Sequence, residues 1–204
     1  NGFLGSNIIK KLSLNPNYEL IGTSLNANND GITFEKGNLL DIGSSIGISA
    51  LEIAKALQIQ GHVILLDYHN PLRNLSSLRI IDYANPNRRL VSLNEALAKM
   101  EDLRENRTLT TLYGVDFGEP LNPSIKTLIQ DSALVHCANT IPYLSPAKLN
   151  QAIRNIIGAT NPEGGIFKLH NDGSLPFDNI LHSVTLQRQG NNLHVLPNLV
   201  KGRF

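Results

Sequence analysis

The sequence predicts an α/β fold: a doubly wound, mostly parallel sheet with helices on both faces, closed by a C-terminal antiparallel hairpin. Three observations lead there. First, Asn38-Leu39-Leu40-Asp41-Ile42 is short and apolar, passes through the glycine-bearing turn Gly43 to Gly47, and runs into a helical pattern. Second, the apolar run Gly61 to Asp67 follows, and it too ends in a carboxylate. Strand, helix and strand in this order predict parallel strands joined by right-handed crossovers. Third, two short alternating runs close the chain around Gly190-Asn191.

Taken in order, residues 1–33 are rich in asparagine and read as an N-terminal extension. It holds one short helix, Ser6 to Leu14, one short strand, Tyr18 to Thr23, and a loop from Asn26 to Gly31. The main domain spans 34–204. Its first strand is 38–42, its first helix 46–58 and its second strand 62–67. Ile46, Ala50, Ile53, Ala54 and Leu57 recur at helical spacing, and Gly61 ends the connection.

Residues 70–92 read as an insertion beside the site, broken by Asn85-Pro86-Asn87-Arg88-Arg89. Ser92-Leu93-Asn94-Glu95 has the form of a capping box and opens a helix to about Glu105. Strands follow at Thr108 to Val115, ending at Asp116-Phe117, and at Ser132 to Ala138, ending near Asn139. Ser145-Pro146 supplies an N-cap and a first-turn proline for a helix whose apolar face carries Leu149, Ala152, Ile153, Ile156 and Ile157. Asn161 to Gly165 stops that helix. The strand Ile166 to His170 and the hairpin of Ser183 to Gln189 with Asn192 to Leu196 complete the order.

Composition narrows the function classes. A chain of 204 residues, 41% hydrophobic and 17% charged, makes one ordinary core. Its net charge of +1 provides no global field toward nucleic acid or anionic lipid, and 5% aromatics give little for base stacking. Nucleic acid is therefore an unlikely partner. The single cysteine, Cys137, excludes a disulfide framework and a multi-cysteine zinc site, and fits the reducing cytoplasm. No apolar run approaches the roughly 20 residues of a membrane span, and the first residues lack a signal-peptide layout. The chain starts at Asn1, which leaves open that it is a fragment, and no feature fixes an oligomeric state.

The chemistry concentrates at the glycine turn. Gly43 can adopt backbone angles closed to other residues, and neither Gly43 nor Gly47 carries a Cβ that would keep a ligand from the turn. The helix that follows presents free amides, which favour a carboxylate or phosphate. Asp67, at the end of the second strand, is placed to accept both hydroxyl hydrogen bonds of a ribose. Asp41 reads as an acid that bonds the turn's backbone amides. His136, inside an apolar strand, reads as a buried, hydrogen-bonded core histidine, and Cys137 as a small core residue. His62, His182 and His194 show no metal-ligand spacing, so no metal is expected.

On these residues the sequence resembles the class I S-adenosylmethionine-dependent methyltransferases. Leu39-Leu40-Asp41-Ile42-Gly43-Ser44-Ser45-Ile46-Gly47 is similar to their first motif, an acid followed by Gly-x-Gly-x-Gly. Tyr113-Gly114-Val115-Asp116-Phe117 resembles the third-strand motif, and Asn139-Thr140-Ile141-Pro142-Tyr143-Leu144 the loop after strand four. Asn161-Pro162-Glu163-Gly164-Gly165 resembles the turn before strand five. The resemblance implies S-adenosyl-L-methionine as cofactor. The turn of Asp41, Gly43, Ser44, Ser45 and Gly47 would meet its methionine part, Asp67 and Tyr68 its ribose end, Asp116 and Phe117 its adenine, and Asn139 would face the methyl group. It also implies a small-molecule or protein methyl acceptor. No catalytic residue is assigned, because the sulfonium is already a good leaving group and alignment does most of the work. Three departures stand out: Ser45 replaces the middle glycine, the fourth-strand loop lacks Asn-Pro-Pro-Tyr, and little chain separates His170 from the hairpin.

Two other readings compete. A non-catalytic binding or interaction module on the same fold would account for Ser45. An NAD-dependent extended short-chain dehydrogenase or epimerase fragment would account for Asn1-Gly2-Phe3-Leu4-Gly5, but no Tyr-x-x-x-Lys pair occurs to move its proton.

Overall fold

The computed structural model describes residues 25–28, 31–34, 37–73, 79–82, 89–171 and 182–196. The expected helix Ser6 to Leu14, the strand Tyr18 to Thr23 and the residues around Asn1-Gly2 lie outside them.

The described residues begin with β1 (Leu25–Asn28) and β2 (Gly31–Phe34), paired antiparallel from Leu25↔Phe34 to Asn28↔Gly31. This corrects the expected loop from Asn26 to Gly31. Asparagine has low strand propensity, but a ladder needs only backbone N–H and C=O groups.

The main sheet then forms from β3 (Asn38–Ile42), β4 (Val63–Asp67), β7 (Leu109–Tyr113), β8 (Ser132–Ala138), β9 (Glu163–Asn171), β10 (His182–Gln189) and β11 (Asn192–Leu196). Its order is β11-β10-β9-β8-β3-β4-β7. The five strands from β7 to β9 are parallel, and β10 and β11 are antiparallel to their neighbours. The predicted fold class is therefore the observed one. Chain order reverses between β3 and β8, and the carboxyl ends of those strands define the crevice in which doubly wound folds bind ligands.

Between β4 and β7 a second small ribbon pairs β5 (Ile80–Asp82) with β6 (Arg89–Val91), within the segment read as an insertion.

Among the described residues four helices cover the sheet: α1 (Ile48–Ala56), α2 (Leu93–Arg104), α3 (Pro123–Ile129) and α4 (Pro146–Ala159). Leu39, Val63, Leu65, Leu134 and Ile166 pack on one face with Ala50, Leu51 and Ala54 of α1 and Leu103 of α2. Leu40, Ile42, Ile64, Leu66, Val135, Cys137 and Phe167 pack on the other with Ile129 of α3 and Ala152, Ile156 and Ala159 of α4. Alternation along each strand thus feeds two cores, which is why these strands read as continuously apolar.

Start signals explain the helix boundaries. Ser92 accepts from the Glu95 N–H while Glu95 accepts from the Ser92 N–H, a complete capping box. Asn122 and Ser145 cap α3 and α4, each followed by proline at the first helical position.

The apolar face predicted for α4 needs correction at Ile153, which is 44% exposed, whereas Asn155 is buried in its stead. The helix is rotated so that Asn155 Nδ2 donates to Phe117 O at 2.9 Å and Glu119 O at 2.8 Å. Two hydrogen bonds to backbone carbonyls, about 1 to 3 kcal/mol together, are comparable with the burial of one isoleucine.

Candidate functional site

The carboxyl ends of β3, β4 and β7 are laced together. Gly43 and Ser44 N–H groups donate to Leu66 O at 2.8 and 3.3 Å, and Gly114 and Val115 N–H groups donate to Asp67 O at 3.0 and 3.2 Å. Three loops from three strands therefore meet at one edge.

The glycine turn is left-handed at Gly43 (φ 74°), Ser45 (φ 51°) and Gly47 (φ 90°). A Cβ at Gly43 would overlap Thr140 Oγ1, and one at Gly47 would overlap Leu65 Cδ1. This corrects the sequence argument that the glycines clear space for a ligand: the space is taken by the protein's own side chains. Thr140, whose hydroxyl lies 3.0 Å from Ala138 O and 3.2 Å from Ile42 O, bridges β3 and β8 at the switch point.

Asp41 is buried, and its Oδ1 accepts from His136 Nδ1 at 2.7 Å. A carboxylate has no hydrogen to give, so Nδ1 is the donor of this bond. The bond joins register partners on β3 and β8, and the same register continues to Lys168 on β9 and Thr185 on β10. Asp41, His136, Lys168 and Thr185 thus form a buried polar row under the apolar face. Lys168 Nζ donates to Thr185 Oγ1 at 3.2 Å, and burial pushes its ammonium down to about 8. Asp41 binds this histidine where backbone amides of the turn were expected.

Cys137 is fully buried on the opposite face, and burial pushes its thiol up to about 12, so it is no nucleophile.

Asp67 sits against the turn. Its Oδ2 accepts from Ser45 N–H at 2.8 Å and its Oδ1 from His69 N–H at 2.9 Å. Each oxygen has further lone-pair capacity, and the residue is partly exposed. Tyr68 beside it is 60% exposed, its ring edge-on to His69.

Asp116 is engaged differently. Its Oδ1 accepts from Gly118 N–H at 2.9 Å, and its Oδ2 pairs with Lys148 Nζ of α4, which holds the carboxyl below its ordinary range. Phe117 is buried in the core against Leu121 and Ile156. Asn139, left-handed at φ 54°, opens the loop after β8, where Tyr143 is 67% exposed.

The structure therefore gathers Gly43, Ser44, Ser45, Gly47, Asp67 and Tyr68 at one point, with Asn139 beside Thr140. Asp41 lies beneath that point, and Asp116 and Phe117 are bound into the β7–α3 loop. Four residues given no role by the sequence shape the site: Tyr113, Thr140, Lys148 and Asn155. The first two stand inside the third-strand and fourth-loop motifs, and the last two are one heptad apart on α4.

The turn suits an anionic, hydroxyl-rich ligand. Gly47 caps α1 without a side-chain hydrogen bond, so the first-turn amides lack a protein side chain. Ser44 is buried, and its Oγ has no hydrogen-bond partner. Asp67 retains acceptor capacity. These three features leave donors and acceptors at the turn, whereas Asp116 and Phe117 are committed elsewhere. Among the described residues, no group of three or more His, Cys, Asp or Glu is placed to hold a metal, and no helix is long and apolar enough to cross a membrane.

The fold and this edge define a doubly wound α/β domain with a ligand-type switch point. No protein-family model and no curated protein sequence matches the chain. Most of the solved structures it resembles are S-adenosylmethionine-dependent methyltransferases. One, described as such a methyltransferase from Methanococcus maripaludis, is 20% identical, with TM-score 0.42 over 71% of this chain and 51% of that one. Phosphoethanolamine N-methyltransferase 1 of Haemonchus contortus, solved with phosphoethanolamine and S-adenosylhomocysteine, is 14% identical, with TM-score 0.42 over 69% and 23%. A chain described as a zinc-dependent alcohol dehydrogenase from Rhodobacter sphaeroides is 12% identical, with TM-score 0.41 over 71% and 43%. The chain thus spans about a quarter to a half of these proteins' lengths, and overlap this partial carries no functional assignment to it.

Proposed function

We propose that the switch-point edge binds S-adenosyl-L-methionine and that the domain, residues 34–204, transfers a methyl group to a small-molecule or protein acceptor. The observation that carries this reading is Asp67: a partly exposed carboxylate at the end of the second parallel strand, held against the glycine turn by the Ser45 and His69 amides. When bound, the cofactor supplies an electrophilic methyl group on sulfur. Asp67 would accept from the ribose hydroxyls, while the Ser44 hydroxyl and the first-turn amides of α1 would hold the carboxylate. Exposed Tyr68 and Tyr143 flank the edge and would help exclude water from it. Selection of the acceptor would fall to the 70–92 insertion, the loop 139–146 and the segment 171–182.

A second reading, a non-catalytic binding module, is favoured by one observation. The third-strand acid is already paired with Lys148, so the far end of a nucleoside would find no free carboxylate there.

Titration calorimetry with S-adenosylmethionine, S-adenosylhomocysteine and NAD in parallel separates the readings. Binding of the first two and not the third is expected, and Asp67→Ala should weaken it by about 1 to 3 kcal/mol through lost hydrogen bonds. Unchanged affinity in that variant would remove Asp67 from the site. Tight binding with no turnover across an acceptor panel would favour the module.

A further inference from the structure

Ser45 stands where the family pattern has its middle glycine, and its backbone is left-handed at φ 51°, a region that a residue with a Cβ enters only at a cost. Two contacts hold it there. Its N–H donates to Asp67 Oδ2 at 2.8 Å, and its carbonyl accepts from the Tyr113 hydroxyl at 3.2 Å. Asp67 and Tyr113 are direct register partners on β4 and β7, so both side chains rise from the same face and hold the two peptide groups that flank the Ser45 Cα.

We propose that Tyr113 is a positioning residue of the adenosyl site: its hydroxyl fixes the Ser45 turn and, through it, the Asp67 carboxylate that receives the ribose. This rests on the adenosyl reading above. The tyrosine offsets the substitution of serine for glycine, since a glycine would adopt the same angles without a clasp. Burial, and then the Asp67 charge, hold the phenol above its ordinary range, so the hydroxyl keeps its hydrogen at neutral pH.

The test combines Tyr113→Phe, Ser45→Gly and the double variant, with two readouts: affinity for S-adenosylhomocysteine, and amide exchange at position 45 without ligand. Tyr113→Phe should weaken binding about three- to tenfold, the worth of one hydrogen bond, and speed the exchange. In the Ser45→Gly background the same change should alter affinity by less than about twofold, because the strain it offsets is gone. A general structural role would give the same loss in both backgrounds, and that result overturns the proposal, as does unchanged affinity and exchange in Tyr113→Phe. Should the wild-type protein bind no adenosyl ligand, the adenosyl reading itself fails. The clasp is then decided by exchange alone: background-dependent acceleration upholds it, and none refutes it.

Discussion

Replacing His136 by leucine should cost about 3 kcal/mol of stability, an amount set by what the change leaves behind. Leucine matches the imidazole roughly in volume, so little cavity arises. The loss is electrostatic: Asp41, 3% exposed, forfeits its 2.7 Å hydrogen bond in a place water does not reach. An orphaned buried polar group costs about 1 to 3 kcal/mol, and more when it is charged, which brackets the figure. Against the roughly 5 to 15 kcal/mol that holds a domain together, the variant should remain folded with a visibly lower urea midpoint. Asp41→Val should also destabilise, by about 1 to 3 kcal/mol, because it leaves both imidazole nitrogens without partners. Combining the two removes both polar groups from the core. The double variant should therefore cost less than the sum of the single changes by at least about 1.5 kcal/mol. Urea unfolding of the four proteins at one pH, with the slope checked for constancy, measures the coupling. A His136→Leu cost below about 1 kcal/mol, or simple additivity, would refute the claim that the pair is a sealed element of the β3–β8 seam.

Gly47→Ala adds a left-handed penalty of about 1 to 2 kcal/mol to an overlap with buried Leu65 worth about 1 to 3, so chemical denaturation should show a loss of about 2 to 5 kcal/mol. Lys168 titrates lower in the folded protein, near 8, than in the unfolded chain, near about 10.4, so the unfolded state binds more protons between these values and stability from this group rises with pH across that window. Cys137, pushed up to about 12, works in the opposite direction above pH 9, so the wild-type curve blends both. Lys168→Met isolates the lysine: it should be more stable than wild type below pH 8, with the difference shrinking toward pH 10. A difference that stays level from pH 7 to 10 would show that Lys168 is not desolvated.

What could be read in advance followed from local chemistry. The capping box at Ser92, the Ser145-Pro146 start and the strands 38–42 and 132–138 each express a preference contained within a few residues. The helix α3 carries the same Asn122-Pro123 signal, but seven residues leave too short a period to stand out. The site was legible in its near half only. Gly43, Gly47 and Asp67 belong to one strand–turn–helix–strand unit and meet because that unit closes on itself. Asp116 depended on Lys148, a residue of a later helix, and Asp41 on His136, five strands further along the chain; no spacing encodes either pairing.

The amino-acid order alone determined the winding of the sheet and which strand ends carry acids, because apolar periodicity and turn residues act over short distances. Tertiary structure decided what each acid does: burial and the partner brought across from a neighbouring strand or helix sealed Asp41 beneath the turn, tied Asp116 to α4 and left Asp67 at the rim, since a carboxylate's role depends on which donors and how much water surround it.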